Sequence, residues 1–122
     1  MGIIPPGVHR ILDWLAVVVF AVAPLVFNLH GNTAVLAYCL AVVHLVVTLL
    51  THFPGGARRP IAFHLHGALE LLLGILFIAV PLMRHWTFGA RRFYIGMGIA
   101  LLIIWGLSRY RYEDRVAPAT VV

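Results

Sequence analysis

The sequence contains few charged groups and no lysine. Only 11% of its 122 residues are charged, whereas 62% are hydrophobic and the mean hydropathy is +1.00. This composition leaves too little polar surface to cover a soluble globule, so it predicts an integral membrane protein. All nine basic residues are arginines near the ends of apolar runs. That distribution is typical of a membrane protein in contact with lipid and does not predict a nucleic-acid-binding surface.

Cysteine is almost absent as well. Cys39 is the single cysteine, which excludes an intrachain disulfide. Because free cysteine is among the most frequently buried residue types, we expect Cys39 to be a buried and inert thiol. The sequence also lacks the nucleophile elbow GxSxG, the phosphate-binding loop, the zinc-protease motif HExxH and the CxxC motif. These absences predict a protein that is not an enzyme.

Four long apolar segments dominate the chain instead. Each has about 20 residues, which at 1.5 Å per residue is enough to cross the roughly 30 Å hydrocarbon layer of a bilayer. The sequence therefore predicts an all-α, polytopic membrane protein with four transmembrane helices in a single domain, 1–122. The segments lie at about 8–29, 33–53, 61–83 and 88–108, and a polar C-terminal tail follows at 109–122.

The arginines predict the orientation of these helices. Six would lie on one side of the membrane and three on the other, so the positive-inside rule places both termini in the cytoplasm. The first group is Arg10, Arg58, Arg59, Arg109, Arg111 and Arg115, and the second is Arg84, Arg91 and Arg92.

One pattern of polar residues occurs twice within the apolar segments. The two copies, 57 positions apart (66 minus 9), are His9, Asp13, Phe20 and Pro24, then His66, Glu70, Phe77 and Pro81. Four matched positions at one offset indicate two tandem helical-hairpin repeats, at about 8–53 and 61–108. Parallel hairpins are related by a pseudo-twofold axis along the membrane normal, which should bring the two copies face to face.

Small residues at helical spacing predict where the helices pack. We expect a four-helix bundle with small residues at its seams. The predicted stripes include Ala34, Ala37, Ala41, His44 and Thr48 on the second segment, and Gly89, Gly96, Ala100 and Ile103 on the fourth.

Two of the four carboxylates, Asp13 and Glu70, lie inside apolar segments, and each follows a histidine by four positions. This spacing places both side chains on one helix face. An ionised carboxylate near the bilayer centre costs on the order of 3 kcal/mol, so such a group usually faces other helices and has a partner. His44 lies on the small-residue stripe and should face the same interior. The predicted polar cluster is therefore His9, Asp13, His44, His66 and Glu70.

This cluster supports several interpretations. Hydrogen-bonded His–carboxylate pairs can fix helix rotation and register without a cofactor, which predicts a non-catalytic structural, accessory or oligomer-forming module. Such a module would associate with itself or with a larger membrane complex. The same residues are also possible ligands of a transition metal such as Zn, Fe or Mn, or of a haem. Transfer of protons or ions is a further alternative.

Two stretches, IIPPGVHRILDWL (3–15) and IAFHLHGALELLLG (61–74), resemble bacterial membrane proteins of the SPW-repeat type. The similarity extends over 3–107 and includes the AP and VP that end the two copies of the pattern. Those proteins have two tandem two-helix repeats and are named for a Ser-Pro-Trp turn, of which this chain keeps only the prolines, Pro24 and Pro81. The resemblance implies a four-helix fold in the bacterial cytoplasmic membrane, and it implies no activity.

Overall fold

The computed structural model describes residues 3–53 and 58–108, which form four long helices and two very short strands. The elements are α1 (Pro6–Val26), α2 (Asn32–Leu50), β1 (Thr51–His52), β2 (Ile61–Ala62), α3 (Phe63–Met83) and α4 (Phe88–Leu107). Helix α1 packs along α2, and α3 packs along α4, so the helices form two hairpins. The predicted tail at 109–122, with three of the counted arginines, lies outside the described residues.

Each of the four helices is long and apolar enough to cross a bilayer, with 19 to 21 residues. Their outward surfaces carry exposed aliphatic side chains, among them Leu25 and Met83 at 83% and 81% exposure. A continuous apolar exterior would promote aggregation in water, whereas it suits contact with lipid chains. The predicted class, a multi-pass helical membrane protein, is confirmed at this level.

Short stretches of parallel backbone pairing join the helix termini at one end of the bundle. They connect the end of α2 to the start of α3, and the end of α4 to the start of α1. The pairs are Thr51 with Ile61, His52 with Ala62, and Ile4 with Ser108. The second apolar segment was expected to remain helical to residue 53, but α2 ends at Leu50. Thr51 is extended (φ −81°, ψ 133°) because its backbone pairs with β2 instead of continuing the helix.

Aromatic rings fill the part of the bundle away from the strands. Phe20, Phe77, Phe93 and Tyr94 pack largely edge to face, with centroids 4.9 to 5.8 Å apart. Such contacts stabilise a core beyond the effect of burial alone. The Tyr94 hydroxyl also donates a hydrogen bond of 2.8 Å to the carbonyl of Thr33, which ties α4 to the first turn of α2.

The predicted seam is correct on α2 and only partly correct on α4, where a Cβ atom at Gly89 would meet the carbonyl oxygen of Phe27. Helix α2 buries Ala37, Ala41, His44 and Thr48, whereas α4 buries Ala90, Phe93, Tyr94, Gly98 and Leu101. Gly96 and Ile103, which were expected at the seam, face outwards. The prediction considered small size alone, whereas the inward rings pack edge to face against Phe20 and Phe77, and the Tyr94 hydroxyl finds a hydrogen-bond acceptor that lipid cannot supply.

The expectation for Cys39 is also wrong, because its side chain is exposed on the outer surface of α2. Ala37 and Ala41 face the interior, and a residue midway between them is rotated by about 200° at 100° per residue. A thiol behaves as a small hydrophobic group, so a surface that faces lipid accommodates it as well as a core does.

Gly74 and Gly98 allow the backbones of α3 and α4 to touch. A Cβ atom at position 98 would lie 2.8 Å from the carbonyl oxygen of Gly74, and one at position 74 would lie 2.7 Å from Leu102 Cδ2. Both distances are shorter than a methyl group tolerates. Close packing of this kind stabilises helix pairs in lipid, where the hydrophobic effect between helices is weak.

We expect Gly98→Ala to lower the free energy of unfolding by about 1–3 kcal/mol, because the new methyl group displaces α3. Gly96→Ala is the matched control, since among residues 3–53 and 58–108 no atom outside the local helix lies within 4 Å of its added Cβ. This control should raise the same free energy by about 0.5–1 kcal/mol through helix propensity. Unfolding of both variants in mixed detergent micelles measures the two values, and effects of the same sign would contradict the prediction.

Candidate functional site

Five polar side chains from α1, α2 and α3 meet in the half of the bundle nearest the strands. They are His9, Asp13, His44, His66 and Glu70, each at most 7% exposed. The structure thus brings together all five residues of the predicted cluster. Asp13 lies about 10 Å along α1 from its first residue, so the cluster is inside the membrane-spanning part of the helices.

The histidine of each hairpin contacts the carboxylate of the other. His9 Nε2 lies 2.9 Å from Glu70 Oε2, and His66 Nε2 lies 3.2 Å from Asp13 Oδ2. The contacts within one helix are longer, at 3.5 Å for His9 Nε2 to Asp13 Oδ1 and 3.9 Å for His66 Nε2 to Glu70 Oε2. The i, i+4 spacing therefore directs both groups towards the facing helix, where each finds its closer partner.

A hydroxyl group holds the other nitrogen of each histidine. His9 Nδ1 lies 2.7 Å from Ser108 Oγ, and His66 Nδ1 lies 2.8 Å from Thr51 Oγ1. Both hydroxyls donate their single proton to a backbone carbonyl one turn earlier, at Ile104 and Val47 respectively. The hydroxyl oxygens must then accept a hydrogen bond from the imidazoles, so Nδ1 carries a proton in both histidines.

This arrangement directs Nε2 of both histidines towards carboxylate oxygens. In a neutral imidazole with a protonated Nδ1, Nε2 carries a lone pair. A lone pair about 3 Å from a carboxylate oxygen is repelled unless positive charge lies between the two atoms. One proton in each His–carboxylate pair supplies that charge, and so does a single divalent cation shared by both pairs.

The donor atoms fit a transition metal. His9, Asp13, His66 and Glu70 each offer one ligand atom, and these four atoms lie within 4.8 Å of one another. Ligands about 2.1 Å from a tetrahedral ion are about 3.4 Å apart. For a set that takes Oδ2 of Asp13 and Oε2 of Glu70, three nitrogen-to-oxygen separations, 2.9, 3.2 and 3.9 Å, bracket this value. Hydrogen bonds from Nδ1 are the usual outer-shell support of a metal-bound histidine.

A haem does not fit the same site. Glu70 Oε2 lies 2.9 Å from His9 Nε2 and 3.9 Å from His66 Nε2, so a carboxylate occupies the space between the two imidazoles. The macrocycle of a bis-histidine haem needs that space for its plane. The geometry therefore disfavours haem and retains the metal, proton and structural interpretations.

His44 is the member of the cluster without an equivalent in the second hairpin, where Leu101 occupies the matching position (44 plus 57). Its Nε2 lies 3.5 Å from Asp13 Oδ1 and makes no hydrogen bond within the described part of the chain. The imidazole is only 7% exposed and lies against the rings of Phe20 and His66, both at 6.2 Å between centroids.

Two phenylalanines cover the strand side of the cluster. The Phe63 ring meets His9 edge-on at 5.0 Å between centroids, and Phe53 lies 5.9 Å from His66. Both phenylalanines are buried, at 0% and 6% exposure. They limit the access of water, and polar interactions are stronger in such surroundings.

The sequence-based search missed Thr51 and Ser108, which orient the two histidines. A signal for them was present, since they are 57 positions apart (108 minus 51), the same offset that separates His9 from His66. His64, two residues before His66, is exposed in the first turn of α3 and lies outside the cluster.

Comparisons of the chain with protein-family models, with curated proteins and with solved structures find no match. The resemblance to the SPW-repeat type remains a prediction.

Proposed function

We propose that this membrane protein is not an enzyme and binds one divalent transition-metal ion between α1 and α3. The ligands are His9, Asp13, His66 and Glu70. One observation carries the proposal: both histidines have Nδ1 fixed as a donor to a hydroxyl, so their Nε2 atoms and two carboxylate oxygens converge in one buried place. A metal ion bound there would take the place of protons on Nε2, because metal ligands must be deprotonated.

The charges of the site support a divalent ion. Asp13 and Glu70 belong to two different membrane-spanning helices, and burying each ionised carboxylate there costs on the order of 3 kcal/mol. A divalent cation makes the set of two neutral histidines and two carboxylates neutral overall, and it satisfies every converging donor at once. The N₂O₂ donor set suits Zn²⁺, Fe²⁺ or Mn²⁺, and the absence of a thiolate disfavours Cu⁺.

Tandem duplication of one hairpin is part of this proposal. Helix α3 begins and ends 57 positions after α1 (63 and 6, 83 and 26). The two backbone pairings, Thr51 with Ile61 and Ser108 with Ile4, also match each other. Ser108 follows Thr51 by 57 positions, and Ile61 follows Ile4 by the same number. Each repeat would then supply one histidine, one carboxylate and one hydroxyl, with the metal ion on the pseudo-twofold axis. The arginine distribution favours both termini in the cytoplasm. The resemblance to the SPW-repeat type implies a bacterial cytoplasmic membrane.

The metal ion would fasten one hairpin to the other, because its ligands come equally from α1 and α3. This role suits an accessory or oligomer-forming module whose apolar outer faces contact lipid, another copy or a larger membrane complex. The arginines near the helix ends suit lipid headgroups, and no nucleic-acid partner is proposed.

A second candidate is the same module held by protons alone. The separations of 2.9 and 3.2 Å between Nε2 and the opposite carboxylates are ordinary charge-assisted hydrogen-bond distances. With one proton in each pair, the cluster would fix the helix register without any metal.

Elemental analysis of protein purified in detergent separates the two candidates. We expect about one equivalent of Zn, Fe or Mn per chain after gel filtration, and we expect His66→Gln to lose it because one of four ligands is gone. His64→Gln is the matched control, since this exposed histidine lies two residues earlier on the same helix. It should keep the metal.

A wild-type protein that stays metal-free after incubation with Zn²⁺, Fe²⁺ and Mn²⁺ would contradict the metal proposal. The double variant Asp13→Asn with Glu70→Gln then tests the alternative, because it keeps hydrogen-bonding groups and removes the charges. A purely structural module should assemble almost normally with this change.

The hydroxyl groups provide a second test. Thr51→Val and Ser108→Ala should each weaken metal affinity by about 10- to 100-fold, because the histidine ligands lose the partners that orient them. Thr48→Val is the matched control: Thr48 is buried near Thr51, but its hydroxyl has no hydrogen-bond partner in the described chain. Competition with a chromophoric chelator measures these affinities. Equal losses in Thr51→Val and Thr48→Val would indicate a general packing effect.

A further inference from the structure

A small pocket of about 70 Å³ lies on the first hairpin, at the end of the bundle where the strands are. Two arginines and several apolar side chains line it, and they include Arg10, Trp14, Leu49, Phe53 and Arg59. Arg10 belongs to α1, whereas Arg59 lies two residues before β2. The pocket therefore brings together two positive charges that are 49 positions apart in the sequence (59 minus 10).

No carboxylate of residues 3–53 and 58–108 balances these charges. The two carboxylates in those ranges, Asp13 and Glu70, are buried in the polar cluster, contact histidines and do not line the pocket. Arg10 and Arg59 are exposed, and a guanidinium group stays protonated in proteins. Two like charges at one pocket repel each other, so an anion between them is favourable.

The walls of the pocket suit both parts of a phospholipid. Guanidinium groups form paired hydrogen bonds with phosphate oxygens. Trp14 and Leu49 are 38% and 50% exposed on the surface of membrane-spanning helices, where they can pack against an acyl chain. Arg10 is about 6 Å along α1 from its first residue, so the charged part lies near the helix ends, at the depth of lipid headgroups. Inorganic phosphate would use only this charged part.

The second hairpin lacks this pair of arginines. At the 57-position offset, Gly67 matches Arg10, and Gly2 matches Arg59. The arginines are therefore not part of the pattern that the two hairpins share. The positive-inside rule requires arginines near the helix ends, but it does not require two of them at one pocket. Their placement points to a ligand of the first hairpin.

We propose that this pocket binds the phosphate group of an anionic phospholipid between Arg10 and Arg59, with an acyl chain along Trp14 and Leu49. This inference goes beyond the metal site and does not require a bound metal, since neither arginine is one of the four proposed ligands. Thr51 lines the pocket and also supports His66, so metal content is measured in parallel with lipid binding.

Quenching of Trp14 fluorescence by lipids with brominated acyl chains tests the proposal. Trp14 lines the pocket, and the changes Trp86→Phe and Trp105→Phe make it the sole tryptophan. This protein is titrated in detergent micelles with brominated phosphatidylglycerol and with diacylglycerol that has the same chains. Diacylglycerol should bind more than tenfold more weakly, because it has no phosphate group. Excess inorganic phosphate should not release phosphatidylglycerol, because it lacks the chains.

Two neighbouring arginines locate the binding. Arg59→Gln should weaken phosphatidylglycerol binding about fivefold, which corresponds to about 1 kcal/mol for one exposed charge-assisted contact. Arg58→Gln is the matched control, since this exposed arginine lies in the same loop and does not line the pocket. At about 0.15 M salt, which screens charges that are not in contact, its effect should stay below about twofold. Arg10→Gln with Arg59→Gln should remove the preference for phosphatidylglycerol over diacylglycerol.

Several results would overturn the proposal. Equal affinity for phosphatidylglycerol and diacylglycerol would identify a surface that contacts acyl chains only. Release of the lipid by inorganic phosphate would identify a site for the free anion. Equal losses in Arg58→Gln and Arg59→Gln would identify general attraction to a basic surface. Elution as a single species and unchanged helicity by circular dichroism verify that each variant is folded. A protein that takes up no metal but binds phosphatidylglycerol as expected would contradict only the metal site.

Discussion

The arrangement of this protein depends on neutralising two carboxylates in surroundings where water cannot do so. Asp13 and Glu70 belong to membrane-spanning helices, and each is 2% exposed. Ionised groups in such a place need opposite charge at short range. The protein supplies this charge between the two hairpins, because the histidine closest to each carboxylate belongs to the other hairpin. Whether two protons or one metal ion completes the charge, α1 and α3 must stay together for either carboxylate to remain buried.

Groups outside the cluster orient the rings of His9 and His66. Thr51 and Ser108 come directly after α2 and α4, where the backbone becomes extended. Their hydroxyls bond back to the last turn of each helix and leave an oxygen lone pair for the imidazole Nδ1–H. The short strand pairings fix the backbone at these two positions. An irregular helix end thus becomes the support of a buried site, which explains why α2 stops earlier than its hydropathy alone indicates.

The two hairpins match in their polar cluster and differ at His44 and Leu101. Leu101 is an ordinary core residue, whereas His44 adds an imidazole that the pairing of His9 and His66 with the carboxylates does not use. His44 also borders a cavity between α2 and α3. The proposed metal ion would therefore depend only on residues that match between the two hairpins.

The sequence by itself determined the four membrane-spanning helices and the five residues of the polar cluster. Long apolar runs specify membrane helices by length alone, and carboxylates within them must face the interior. The tertiary structure decided the rest: the crossed contacts, the part of Thr51 and Ser108, the inward rotation of Phe93 and Tyr94, and the cavity. Helix periodicity defines which residues share a face. It does not define which helix that face meets or how far a helix rotates to bury its largest side chains, since both depend on packing between distant segments.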